Sequence, residues 1–138
     1  MKQHLPPSTV ANVVVAIAPR EDRTANDDLW DMYLINLRDE PMVNVLITSQ
    51  GYGIIDGSDK TTTVLRHFHP KLAPGEVARI EPVQPALFGI TNEYWVSFND
   101  GSEDGPMLDR KYIFRAGTLG ENKLVEVPGM GRMGVYLR

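Results

Sequence analysis

The chain contains no cysteine, which excludes a disulfide framework, a thiolate metal site and a cysteine nucleophile. It also lacks a basic excess, since 14 Lys+Arg face 18 Asp+Glu for a formal net charge of -4. Nucleic-acid binders draw most of their affinity from neutralising phosphates, so this balance argues against such a partner and leaves room only for a local basic patch. No run approaches the roughly 18 apolar residues that cross a bilayer as a helix. The stretch Val10–Ala18 behind Lys2, ending Ala-Ile-Ala, has the outline of a secretory signal. Pro6, Pro7, Ser8, Thr9 and Asn12 interrupt it and Pro19 follows it, so the expected location is the cytoplasm.

What remains is an ordinary globular composition: 138 residues, 42% hydrophobic and 23% charged, enough for one domain with a real core. The punctuation is dense. Twelve glycines and ten prolines divide the chain into segments shorter than the average globular helix of about 11 residues, which favours strands. Leu29–Leu37 alternates, with Leu29, Tyr33, Ile35 and Leu37 on one face and Trp30, Met32, Leu34 and Asn36 on the other. Arg38–Pro41 reads as a turn and Val43–Ser49 as the returning strand of a hairpin. Further strands are expected over 61–68, 77–82, 93–99, 108–114, 123–127 and 133–137, with one helical turn over 84–90, where Pro85 suits a first helical position. The predicted fold is all-β, an antiparallel β-sandwich of immunoglobulin-like or related type, with a barrel second. The Cys-Trp-Cys spacing of a true immunoglobulin domain is missing.

The N-terminal part reads differently. Residues 1–28 form a segment with a candidate edge strand and the charged loop Arg20–Asp28, and the sandwich is expected over 29–138. The run Val13-Val14-Val15 does not alternate, so it must be buried on both faces or docked on a partner. A strand that apolar must pair with a sheet edge, either in its own chain or, by exchange, in a homodimer.

Few residues carry recognisable chemistry. His67 and His69 share a face of one strand, as two imidazoles on a metal must, with His4 the third histidine of the chain. A solvated pair at a strand end before Pro70 has the same pattern. Asn99–Gly105 gathers oxygen ligands without the calcium-loop spacing, and a hairpin loop has that composition for conformational reasons alone. There is no Gly-x-Ser-x-Gly elbow, and Gly129–Gly134 lacks the Lys-Ser/Thr of a P-loop. Trp95 falls opposite the core-facing set Tyr94, Val96 and Phe98, which makes it a candidate contact residue. Arg66, His67, His69, Lys71 and Arg79 make a basic patch if their strands pair.

At WDMYLINLRDEPMVNVLITSQGYG (30–53), LRHFHPKLAPGEVARIEPV (65–83) and NEYWVSF (92–98), the chain resembles a family of small uncharacterised bacterial single-domain β proteins. The resemblance runs from Trp30 to the C-terminus and implies an all-β fold with no catalytic residues to carry over. Some members bear the name of a phenylalanyl-tRNA synthetase α subunit. The ATP-binding Arg motif of a class II synthetase has no counterpart here, and the name is read as a transferred one.

The leading expectation is a non-enzymatic module that binds a protein partner or itself, without a cofactor. The alternatives are a small metal-dependent enzyme or sensor using His67 and His69, and an RNA-associated accessory domain.

Overall fold

The computed structural model describes residues 10–24 and 28–138; His4 and the middle of the charged loop lie outside them. The strands are β1 (Val13–Pro19), β2 (Trp30–Asn36), β3 (Met42–Ile55), β4 (Ser58–Thr61), β5 (Leu65–Leu72), β6 (Val77–Val83), β7 (Thr91–Asp100), β8 (Met107–Phe114), β9 (Val125–Glu126) and β10 (Met133–Leu137). Helix among the described residues is confined to two 3-10 turns, Pro85–Gly89 and Glu121–Lys123. Every strand pair is antiparallel, and the strands form two open sheets rather than a closed barrel. One sheet runs β6-β2-β1-β10-β9. The other is β4-β3-β7-β8, with β5 also paired to β3. The all-β sandwich expected from the sequence is the fold found. No helix among the described residues is long and apolar enough to cross a membrane.

The principal core lies between the sheets. Val13, Val15 and Ile17 of β1 and Trp30, Met32 and Leu34 of β2 meet Val45 and Ile47 of β3, Tyr94, Val96 and Phe98 of β7, and Tyr112 and Phe114 of β8. A second cluster, Val14, Ala16, Ala18, Tyr33, Ile35 and Val127, covers the opposite face of the first sheet. The C-terminal turn closes it, with Met130 packed against it and Arg132 Nη1 donating to the Tyr33 hydroxyl at 2.8 Å. The valine run of β1 is therefore buried on both faces, which is why it does not alternate.

Two sequence readings are corrected. The N-terminal strand is not at an edge: β1 lies between β2 and β10 and pairs with both, so the sandwich begins with it rather than at residue 29. Its partners on both sides are strands of the same chain. Nor do β2 and β3 form a hairpin, because they belong to different sheets. Asn36 turns the chain across. Its Nδ2 donates to Glu40 O at 3.0 Å and Leu72 O at 2.9 Å, and its Oδ1 accepts from the Arg38 amide at 2.9 Å. Alternation alone cannot tell a strand that returns from one that crosses over.

Two irregularities re-aim side chains. At Asn44, with φ 53°, one extra residue relative to β7 lets both Met42 and Val45 join the cluster between the sheets, while Val43, also buried, stays outside that cluster. On β6, Met32 pairs with Glu81 but Tyr33 pairs with Arg79, so Ile80 is the extra residue. Arg79 consequently points out and Glu81 is buried although they are two residues apart.

Candidate functional site

Glu81 turned inward by the Ile80 irregularity is 8% exposed. A carboxylate that deep must find donors, and it finds them on the other sheet. Ser49 Oγ of β3 donates to Glu81 Oε1 at 2.7 Å, and His67 Nε2 of β5 lies 3.0 Å from the same oxygen. Since an ionised carboxylate only accepts, His67 carries a proton on Nε2. Glu81 Oε2 has no hydrogen-bond partner among the described residues, yet it is not sealed from solvent, because the only buried unpartnered side-chain atom found is Arg38 Nη1.

Beside this carboxylate, at the end of the sandwich where the sheets part, lies a cleft of about 350 Å³. Its floor is Ser49 to Gly51 of β3 with Asn92 and Tyr94 of β7, and its rim is Thr62, Thr63 and Leu65. Leu29, Pro82, Val83 and Leu87 supply an apolar wall, with Gln84 beside them. Asn92 Nδ2 holds the wall in place by donating to Leu87 O at 2.8 Å and Ile90 O at 3.1 Å. Gly51 sits close under the wall: a Cβ there would stand 3.0 Å from Ile90 Cδ1 and 3.1 Å from Thr62 Cγ2, so those side chains would have to shift. Burial, reinforced by the Glu81 charge, pushes the Tyr94 phenol well above its ordinary range, so it stays a neutral hydroxyl.

The arrangement is not a nucleophile triad. Ser49 Oγ donates to the carboxylate and makes no hydrogen bond to an imidazole among the described residues, so the serine–imidazole–carboxylate order of a triad is not formed. His67 is committed to Glu81, while His69 on the same strand makes no hydrogen bond or ion pair among the described residues. Among the described residues no three His, Asp or Glu side chains converge as a metal centre would require. In the acidic loop, Asp100 is taken by Arg38 and Asn99 Nδ2 donates to Gly105 O at 3.0 Å.

No protein-family model matches the chain, and no curated protein matches it. The functional reading rests on the geometry.

Trp95 and Arg66 lie on the solvent face of the second sheet, and Lys71 is exposed farther along β5, opposite Val43. Thr48 of β3 pairs with Arg66 on one side and Trp95 on the other, and Trp95 pairs with Lys111, which makes one row across four strands. In the next row Leu46 lies opposite Phe68. Trp95 is 47% exposed, Phe68 59% and Leu46 39%. Trp95 Nε1 donates to Asp109 Oδ2 at 3.1 Å, and Lys111 Nζ sits 5.0 Å from the ring centroid. Arg79 is elsewhere: β6 pairs with β2, not with β5, so the basic patch that needed those strands to pair does not form. Sequence reasoning found Trp95 because β7 alternates cleanly. It passed over Glu81 because a bulge leaves no mark in a polar–apolar pattern.

Proposed function

We propose that the protein is a non-enzymatic contact module of the cytoplasm that binds a partner protein through the solvent face of the β5-β3-β7-β8 sheet. The observation that carries this reading is the strip Phe68–Leu46–Trp95. Directly opposed strand residues lie about 5 Å apart and diagonal ones about 7 Å, so the three side chains form one exposed apolar surface. An exposed aromatic-centred patch is the usual core of a protein interface. Arg66 stands beside it on β5 and Lys71 is exposed farther along that strand; neither makes an ion pair among the described residues, whereas Lys111 already lies 3.8 Å from Glu93. The fitting partner therefore presents an apolar side chain flanked by carboxylates.

Peptides selected from a displayed random library against the full chain test the reading. The expected ligands pair aromatic or aliphatic residues with Asp or Glu, and binding shifts the emission of Trp95, the exposed one of two tryptophans. Phe68→Asp and Trp95→Ala should abolish that binding with circular dichroism and melting unchanged. Selected ligands that bind both variants as tightly as the parent chain would overturn the proposal. Light scattering on the same samples identifies the case in which the partner is a second copy, since the dimer would then vanish in Phe68→Asp.

A further inference from the structure

We infer that the cleft beside Glu81 is a second binding site, for a small molecule carrying a cationic nitrogen on a compact apolar body. Its volume, about 350 Å³, falls within the ~300–1,000 Å³ range of small-molecule sites. The chemistry of the lining selects the ligand. Among the described residues Glu81 is the one lining side chain with a formal charge, and no Lys, Arg or His lines the cleft, so an anion meets no opposite charge there.

The carboxylate is built to accept one donor more than the protein provides. Oε1 is saturated by Ser49 and His67, and these two contacts, both from the opposite sheet, fix its orientation. Oε2 has no donor among the described residues and is open to solvent, so its lone pairs are available to a ligand. An ammonium on Oε2 makes a charge-assisted hydrogen bond in a partly desolvated setting, the stronger kind. The Tyr94 hydroxyl, neutral and without a hydrogen bond among the described residues, is a further polar contact at the same end. Leu29, Val83 and Leu87 offer the remainder of the ligand an apolar surface. The site is separate from the sheet face that carries Trp95, and either proposal can fail without the other.

Titration of the full chain with benzylamine, benzyl alcohol and benzoate, followed by amide chemical shifts, decides it. Benzylamine should move resonances of Ser49, Gly51, Thr62 and Glu81, roughly tenfold or more tighter than benzyl alcohol, as expected for a hydrogen bond to a charged group. Benzoate should not bind. Glu81→Gln should remove the preference for the amine over the alcohol while leaving the alcohol's weak binding. If Glu81→Gln does not fold, Thr63→Lys, which places a cation at an exposed rim position, should weaken benzylamine and admit benzoate. Equal affinity for amine and alcohol, shifts that map away from the cleft, no binding of benzylamine, or indifference to Thr63→Lys would each overturn the inference.

Discussion

Ser49 of β3 and Glu81 of β6 stand on opposite sheets, and a 2.7 Å hydrogen bond from the serine hydroxyl to the carboxylate ties them together. The bond crosses the open end of the sandwich, where apolar contact between the sheets gives way to the cleft. Ser49→Ala takes one of two donors from a buried carboxylate and should cost about 1–3 kcal/mol in urea unfolding. The double change Ser49→Ala with Glu81→Leu removes charge and donor together and should recover most of that loss. A single Ser49→Ala variant as stable as the parent would show that the bond does not brace the sheets.

Asn36 carries the crossing between the sheets with no exposure to solvent. Replacing it by Ala orphans the Glu40 and Leu72 carbonyls and the Arg38 amide. The expected loss is about 3 kcal/mol, since unsatisfied buried groups cost ~1–3 kcal/mol each and the turn relaxes in part. Asn36→Asp is the sharper test, because a carboxylate keeps the acceptor and loses both donors. It should melt close to the Ala variant, and a melting temperature near that of the parent would contradict the role given to Nδ2.

Much of the fold was legible because burial here is mostly one-sided. β7 alternates strictly, and its pattern alone places Tyr94, Val96 and Phe98 in the core and Trp95 outside, as found. Val13-Val14-Val15 pointed to burial on both faces or docking on a partner, and nothing local says that the second cover is the turn around Met130. Three things were hidden for one reason, that connectivity and register are long-range properties. The β2–β3 crossing depends on Asn36 reaching Leu72, thirty-six positions away. The inward turns of Met42 and Glu81 depend on single extra residues at Asn44 and Ile80, and one extra residue reverses every face assignment beyond it. Glu81 therefore carried no signal of its own within the expected strand 77–82.

Tyr112 gives the fold an alkaline limit. Its hydroxyl donates to Val13 O at 2.7 Å, joining β8 to β1, and burial pushes its pKa up to about 12 from the ordinary 10. Below pH 10 the phenol is protonated in both states and costs nothing. Between pH 10 and about 12 the unfolded chain releases the proton and the folded chain holds it, so stability falls as pH rises, by about 1.4 kcal/mol per unit. Tyr94, shifted in the same direction, adds to the slope. Tyr112→Phe should be less stable than the parent at pH 7 through loss of the hydrogen bond, and should lose stability less steeply above pH 10. Parallel curves for the two proteins from pH 8 to 11.5 would contradict the assignment.

The most demanding prediction concerns β1. Its six residues from Val13 to Ala18 have no solvent exposure, and its backbone pairs with β2 on one side and β10 on the other. Burying a Val or Ile side chain contributes roughly 1.5–3 kcal/mol. Val13, Val14, Val15 and Ile17 together are thus worth about as much as the whole stability of a typical domain, ~5–15 kcal/mol. Deleting residues 1–20 should leave an unfolded or insoluble chain rather than a trimmed sandwich. Point variants separate two-sided burial from ordinary strand burial. Val15→Thr places a hydroxyl between the sheets and Val14→Thr places one under the C-terminal turn, and each should cost about 1–3 kcal/mol for a polar group with no partner. In a strand with one face in water, one of the pair would be nearly neutral. Equilibrium urea unfolding of both variants distinguishes the cases, and a Val14→Thr protein matching the parent would mean that the cover formed by Val127 and Met130 is not closed in solution.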